Sequence, residues 1–431
     1  MTPLYKSENN VINNFFKLRQ LPYQTTRVTL TPKYACYRLK VGAGKSIKDL
    51  YKNQNDLARV IYNNRSKEGY GDTVKVIINE QPSMIVIARV DPKTLLYANR
   101  PKNPNPRYAL LGRGFQGDKG EDVFIDLNNA DTFSLLAGGR SGGGKSSILR
   151  QAALTACESS SPEELQVAII DIGEKALKAF KRLPHCCAYV TTLDEAMALL
   201  SHYKESLVGQ ENSYKTRTII LIDESTELFA TGDKDKDEAF TLLVERLAQR
   251  GRGYGISLFL GAQNPTQDNL PVSARRSIPV RIACMCPEEA MSEIILGTGH
   301  KDAERLSMKG TFILRYAGVK QMVFSYLMSD EEIVNQIAQL ARMYDKCEQV
   351  KIIVDSNGGQ ELPDHAIDAG VDVLKQFDNG DGTLRAGYIT PTKKAIADAI
   401  GVRSTEGTAR EKFNKYLQTV LEVYKSNNFL L

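Results

Sequence analysis

Residues 133–147 read FSLLAGGRSGGGKSS, a short apolar run that passes directly into a glycine-rich segment. Residues 139–146 follow the spacing G-x-x-x-x-G-K-[ST], in which backbone N–H groups surround a β-phosphate and the lysine reaches the terminal phosphates. A helix from Ser147 to about Cys157 would direct the positive end of its dipole at the same phosphates. The pattern predicts a nucleotide-phosphate site formed by Gly139, Arg140, Ser141, Gly142, Gly143, Gly144, Lys145, Ser146 and Ser147.

A second Gly-Lys-Ser occurs at residues 42–46, which read GAGKS. The first glycine of the spacing is missing there, because the residue five positions before Gly44 is Leu39. We therefore predict an exposed turn at residues 42–46 and a nucleotide site only after residue 133.

The composition is typical of a globular protein. Hydrophobic residues make up 42% and charged residues 25% of the 431 residues, which is ordinary for that class. The N-terminus is polar and no segment approaches about 18 unbroken apolar residues, so we expect a cytoplasmic protein with no membrane span. The seven cysteines lack paired C-x-x-C spacing, which favours reduced, buried thiols over a disulfide framework or a zinc site.

Positive charge is concentrated at the front of the chain. The net charge is +5, but residues 1–100 contain 17 Lys/Arg against 7 Asp/Glu. A basic region of this kind suggests an anionic partner, most simply nucleic acid. A solvated basic face gives the same count, so both interpretations stay open.

The chain divides into three predicted domains: a small basic α+β domain at residues 1–98, an α/β domain at 107–328 and a helical extension at 329–431. In the second domain apolar strands alternate with amphipathic helices, which predicts a mostly parallel sheet covered on both faces. The predicted strands are 133–137, 165–171, 218–223, 256–260, 281–284 and 311–315. Helices are predicted at 193–207 and 237–249, with a charged turn at 232–236.

An apolar strand ending in Asp223 and Glu224 supplies the acids that a phosphate loop needs. Asp223 is predicted to hold Mg²⁺ through the water shell of the metal, while Ser146 ligates it directly. Glu224 is predicted to polarise the attacking water. Capping of the following helix is the structural alternative for this acidic pair.

The next predicted strand ends near Gln263, whose polar side chain is a candidate sensor of the γ-phosphate or of the attacking water. Arg246, Arg250 and Arg252 lie between the two strands. In a ring of ATPases such an arginine can enter a neighbouring site and stabilise the transferring phosphoryl group. Each can equally be a surface or ion-pair arginine.

Two further regions carry candidate DNA contacts. The C-terminal segment has the outline of a helix, a glycine turn and a second helix, in which Lys393, Lys394 and Arg403 are the basic candidates. A helical hairpin that packs on a protein surface gives the same outline. Arg275 and Arg276, which lie just before the mostly apolar segment 278–282, are candidate contacts to the phosphates of a DNA backbone. Such contacts do not depend on base sequence, which suits a motor that moves on any DNA.

The sequence from 245 to 265, ERLAQRGRGYGISLFLGAQNP, resembles the motor signature of the FtsK/SpoIIIE family of double-stranded DNA translocases. IPVRIA at 278–283 follows it, and Ile-Asp at 170–171, LPH at 183–185 and IDE at 222–224 precede it in the order of that family. The resemblance covers about residues 27–315 and is weaker over the N-terminal α+β region.

The resemblance implies a RecA-like P-loop ATPase that forms a homo-hexameric ring and threads double-stranded DNA through its pore. It implies ATP and Mg²⁺ as cofactors and Arg252 as the leading trans-acting arginine, with Arg246 second. Many members end in a winged-helix domain. The chain departs from the cell-division members in its polar N-terminus and in Lys309-Gly310, where a Gly-Asp pair is common. These differences favour a relative from a plasmid, phage or integrative element.

Two alternatives remain open. The first is a conjugation or secretion coupling ATPase that moves a protein or a nucleoprotein such as a relaxase-bound strand. The second is an ATP-gated DNA-binding or replication factor, in which ATP controls assembly only.

Overall fold

The computed structural model of the chain describes residues 3–70, 74–79, 83–90, 92–93, 95–116, 119–208, 211–352 and 420. The chain divides into two units, Met1–Ile352 and Ile353–Leu431. The first unit contains a small N-terminal sheet and a larger sheet, together with the helices that cover them.

The N-terminal subdomain, residues 3–90, is an antiparallel sheet with helices on one face. Its strands have the spatial order β1-β2-β4-β3. The strands are β1 (Tyr23–Leu30), β2 (Tyr34–Val41), β3 (Val76–Asn79) and β4 (Met84–Ala88), and the helices are α1 (Pro3–Leu18) and α2 (Gln54–Lys67). A 3₁₀ helix, Ile47–Asn53, precedes α2. Residues 43–46 are exposed, and the Ser46 side chain accepts a hydrogen bond from Lys48 N to cap that helix, so the predicted turn is confirmed.

Alternate residues of this small sheet face two different cores, as the two-residue period of a strand requires. Ala35, Tyr37 and Leu39 pack beneath α1 and α2. Tyr34 and Cys36 point the other way and pack against residues of the larger sheet and its helices, including Phe324. The small sheet is therefore buried on both faces, and one of those faces is an interface with the rest of the unit.

The larger sheet has ten strands among the described residues. In spatial order they are β6 (Lys119–Asp126), β5 (Tyr108–Gln116), β14 (Val319–Phe324), β13 (Thr311–Tyr316), β12 (Val280–Ala283), β7 (Leu135–Gly139), β11 (Ile256–Gln263), β10 (Arg217–Ile222), β8 (Leu165–Ile170) and β9 (Cys186–Val190). The strands from β12 to β9 pair in parallel, and those from β6 to β13 extend the sheet in antiparallel fashion.

Helices cover both faces of the parallel strands. On one face α3 (Lys145–Glu158) and α9 (Asp330–Met343) contribute to the core. On the other face lie α4 (Leu193–Glu205) and α6 (Lys234–Arg250). Burial on both faces explains why the last four residues of β10, Ile-Ile-Leu-Ile, are all apolar. Shorter helices follow β10, β11 and β12: α5 (Thr226–Phe229), α7 (Val272–Arg276) and α8 (Glu289–Leu296).

The predicted fold class is confirmed for the described residues, with several local differences. Strands β9 and β14 and the hairpin β5–β6, which has glycines in its first strand, were not predicted from the sequence. The predicted charged turn at 232–236 was partly wrong, because Asp233 caps α6 and the helix begins at Lys234. Helix α9, placed in the predicted C-terminal extension, packs on the core of the larger sheet through Ile333, Ile337 and Leu340.

All seven cysteines are free thiols, and six of them are buried, as predicted. Cys347 is half-buried. In the part of the chain that the structure describes, every helix is too short or too polar to cross a bilayer.

Candidate nucleotide site

The glycine-rich segment forms the connection between β7, which ends at Gly139, and α3, which begins at Lys145. Gly144 precedes the helix with φ of +106°, a left-handed conformation that a residue with a Cβ rarely adopts. A Cβ on Gly139 would lie 2.9 Å from Cys284 Cβ, so the neighbouring strand end also requires a glycine there. The loop therefore has the strand–loop–helix context that the spacing predicts.

Lys145 is buried at the start of α3 and points toward the end of β10. Its Nζ donates to the backbone carbonyl of Asp223 at 3.3 Å and lies 3.4 Å from Glu224 Oε2. Strand β11 separates β7 from β10 in the sheet, and the long lysine side chain spans that gap. The phosphate loop and the acidic strand end thus form one site.

Asp223 is a buried carboxylate beside the phosphate loop. Burial raises its pKa above the ordinary value, while the charge of Lys145 and a hydrogen bond with Ser146 act in the opposite direction. Its Oδ1 is buried without a hydrogen-bond partner among the described residues. Carboxylate and hydroxyl oxygens are the donors that Mg²⁺ prefers. An orphaned carboxylate oxygen next to a serine hydroxyl fits the metal site predicted from Ser146 and Asp223.

Glu224 is held by two contacts of its Oε1 atom. The backbone N–H of Gln263 donates to it at 2.9 Å, and the Thr226 hydroxyl donates as well. The other oxygen, Oε2, faces Lys145. Since Gln263 is at the end of β11, the carboxylate is fixed relative to both neighbouring strand ends.

A cavity of about 190 Å³ lies over the phosphate loop. Its lining consists of residues 140–147, Gln263 and Lys309. The structure therefore brings the predicted sensor, Gln263, to the phosphate site. Lys309 was missed as a site residue, although the departure from a Gly-Asp pair at 309–310 marked this loop as unusual.

The candidate arginines lie away from this cavity. Arg246 is exposed on α6, and Arg252 is exposed in the 3₁₀ turn Gly251–Tyr254 that follows it. Arg250 donates to the hydroxyl of Tyr254 at 2.9 Å. Within one chain Arg246 and Arg252 are therefore surface residues, and a trans-acting role stays a prediction.

Arg275 and Arg276 have different surroundings, although both end α7. Arg275 is buried, and its guanidinium donates to the backbone carbonyl of Ile294 and, at 2.7 Å, to Gln267 Oε1. Arg275 also lines a cavity of about 550 Å³ together with Arg276, and its contact with DNA stays a prediction. Arg276 is exposed, and its contact with DNA stays a prediction. Lys393, Lys394 and Arg403 lie outside the described residues, as does the predicted helix-turn-helix.

Residues 96–212 match the model of the FtsK/SpoIIIE family. The chain is similar to the DNA translocase FtsK of Corynebacterium efficiens, with 23% identity over 292 residues, which are 60% of this chain and 30% of the relative. It is 30% identical over 219 residues to the DNA translocase FtsK of Borreliella burgdorferi, covering 45% of this chain and 27% of that protein. The chain thus spans less than a third of the length of these relatives.

Among solved structures, the chain is similar to that of the pCW3 conjugation coupling protein TcpA in its monomer form with ATPγS. The TM-score is 0.51 at 18% identity, and the match covers 78% of this chain and 99% of that one. At this identity the likeness shows a shared fold.

Proposed function

We propose that this chain is an ATPase of the FtsK/SpoIIIE type that uses ATP hydrolysis to translocate double-stranded DNA. The observation that carries the proposal is the contact of Lys145, at the start of α3, with Asp223 and Glu224 at the end of β10. A buried cation, a metal-binding carboxylate and a second carboxylate beside a glycine-rich loop are the parts that phosphoryl transfer requires.

In the proposed mechanism the phosphate loop binds the β- and γ-phosphates through its backbone N–H groups, and Lys145 neutralises their charge. Ser146 and Asp223 would hold Mg²⁺, which would supply charge stabilisation to the phosphates. Glu224 orients the attacking water and accepts its proton. The hydrogen bond from Gln263 N keeps that carboxylate in place, and the Gln263 side chain senses the terminal phosphate.

The proposal includes a homo-hexameric ring, which the resemblance to the FtsK/SpoIIIE family implies. The exposure of Arg252 and Arg246 supports it, since side chains outside their own cavity are available to a neighbouring site. We propose that Arg252 stabilises the transferring phosphoryl group of the adjacent subunit. The protein would work in the cytoplasm, with Arg276 and the C-terminal candidates Lys393, Lys394 and Arg403 contacting DNA.

The second candidate function is that of a coupling ATPase that moves a relaxase-bound strand or a protein. A conjugation coupling protein has the same fold, so the fold itself does not separate the two functions. A motor that steps along a duplex should hydrolyse ATP faster on longer DNA, whereas a coupling ATPase should respond to its cargo.

The test is the steady-state ATPase rate of the purified chain with double-stranded DNA of increasing length. Lys145→Ala is the inactive control. Lys45→Ala is the matched control, because Lys45 also lies in a Gly-Lys-Ser sequence but is exposed in a turn of the N-terminal subdomain.

We expect the wild-type chain and Lys45→Ala to show equal turnover that rises with duplex length, and Lys145→Ala to show none. Turnover retained by Lys145→Ala would refute the nucleotide site. An ATPase rate that does not depend on duplex length would refute translocation. Stimulation by a relaxase-bound strand would then favour the coupling ATPase. Slow turnover unaffected by DNA, with tight sequence-selective binding, would favour an ATP-gated binding factor.

A further inference from the structure

The turn at residues 308–310, which leads into β13, touches the phosphate loop. A Cβ on Gly144 would lie 3.4 Å from Gly310 N and 3.5 Å from Gly310 Cα, so the two backbones approach each other closely. Lys309 lines the same cavity as the loop, and its side chain is exposed there. A lysine that lines a phosphate cavity can donate hydrogen bonds to an anionic ligand there.

The N-terminal subdomain holds this turn from the other side. Lys33, in the connection between β1 and β2, is buried, and its Nζ donates to the backbone carbonyl of Lys309. The next residue, Tyr34, accepts a hydrogen bond from Ser307 N at its hydroxyl, at 3.4 Å. Two consecutive residues of the N-terminal subdomain thus contact Lys309, the central residue of the turn, and Ser307, which precedes it.

The turn has little freedom to move away from these contacts. Gly310 has φ of +71°, and a Cβ there would lie 2.9 Å from Lys33 Nζ and 2.8 Å from Ser325 Oγ. Ser325, which follows β14, donates from its backbone N–H to the Gly310 carbonyl at 2.9 Å. Lys33 and Ser325 together fix the backbone from which the Lys309 side chain enters the cavity.

We infer that Lys309 is a further phosphate-binding cation of the nucleotide site and that Lys33 is the positioning residue through which the N-terminal subdomain controls nucleotide affinity. This inference rests on the proposed function, because it assumes that the cavity binds a nucleoside triphosphate. Lys33 acts only through Lys309 and does not touch the ligand.

The chain offers a matched control for Lys33. Lys75, also in the N-terminal subdomain, donates from Nζ to the backbone carbonyl of Glu304 at 2.8 Å. This contact joins the same two parts of the protein at a carbonyl outside the cavity lining, and Lys75 also pairs with the Glu304 carboxylate at 3.3 Å. Lys33→Met and Lys75→Met therefore each remove a lysine that joins the two parts, and Lys33→Met alone disturbs the turn beside the phosphate loop.

The experiment is a calorimetric titration of the full chain with ATPγS and Mg²⁺, without DNA, after thermal unfolding has shown that each variant is folded. We expect Lys309→Ala to weaken binding about 10-fold, since a hydrogen bond between charged groups is lost. Lys309→Arg should recover most of the affinity. Lys33→Met should weaken binding about 5-fold, and Lys75→Met should match the wild type.

The double variant separates positioning from general damage. If Lys33 acts through Lys309, Lys33→Met should change the affinity less than about 2-fold in a Lys309→Ala background. Where Lys33→Met does not fold, Lys33→Gln, whose amide can still donate, replaces it and should show near wild-type affinity.

Wild-type affinity of Lys309→Ala would overturn the phosphate contact. Equal affinities of Lys33→Met and Lys75→Met would overturn the positioning role. Loss of binding only in Lys145→Ala would leave the proposed function intact while removing this inference.

Discussion

The Nζ atom of Lys145 lies 3.4 Å from Glu224 Oε2, so the residue predicted to bind phosphate is paired with the residue predicted to polarise water. The phosphates of a nucleotide would compete with this carboxylate for the lysine. Nucleotide binding and the release of Glu224 from its ion pair are therefore expected to be coupled.

Glu224→Gln tests this coupling. The amide oxygen can still accept from Gln263 N, but the negative charge that holds Lys145 is lost. We expect ATPγS affinity to be unchanged or higher and single-turnover hydrolysis to fall at least about 100-fold, because a general base contributes that much. Glu227→Gln is the matched control, since Glu227 pairs with the exposed Lys175. Equal losses of affinity and turnover in Glu224→Gln would contradict the assignment.

Asp223→Asn should affect stability and activity in opposite directions. Burial raises the pKa of Asp223 in the folded chain, so the folded state binds a proton more readily than the unfolded state and the charged carboxylate destabilises the fold at neutral pH. That cost shrinks as the pH falls from the raised pKa of Asp223 toward the ordinary pKa of an aspartate, where it vanishes. We expect the amide variant to keep or raise the melting temperature at pH 7 and to lose Mg²⁺-dependent hydrolysis. A variant that is destabilised at pH 7 would show that the carboxylate is stabilising there.

Lys33 should carry a pH-dependent stability cost. Burial lowers its pKa from 10.5 to about 8, so between these values the unfolded chain binds a proton that the folded chain does not. Stability therefore rises with pH across this window, by up to about 3 kcal/mol from this residue. The melting temperature of Lys33→Met minus that of the wild type should be highest near pH 7 and should fall toward pH 10. A constant difference would place the Lys33 pKa near its ordinary value.

The N-terminal subdomain contains a buried ion pair between Arg65 and Glu8, whose carboxylate also accepts from the Tyr37 hydroxyl. Arg65→Met leaves the Glu8 charge buried and unpaired, which should lower the free energy of unfolding by about 3–5 kcal/mol. Arg19→Met removes a surface pair with Asp56 and should cost less than about 1 kcal/mol. Urea denaturation measures both values, and similar losses would mean that burial does not govern the Arg65 contact.

The sequence predicted those parts of the site that depend on local order. Glycines at 139 and 144 and the Lys-Ser pair are contiguous, and the acids at 223 and 224 end an apolar strand that is recognisable by itself. The contact between Lys33 and Lys309 joins residues 276 positions apart, and no local pattern encodes it. The burial of Arg275 could not be predicted from the sequence either, because its neighbour Arg276 has the same side chain and faces solvent.

The burial of six of the seven cysteines also determines how the chain will react with thiol-directed dyes. Only a thiolate attacks a maleimide efficiently, and burial raises the pKa of Cys36, Cys284 and Cys286 to about 12 and that of Cys347 to about 11. The native protein should therefore stay nearly unlabelled at neutral pH. One new cysteine at an exposed position such as Thr26 would then carry a fluorophore without removal of the natural thiols.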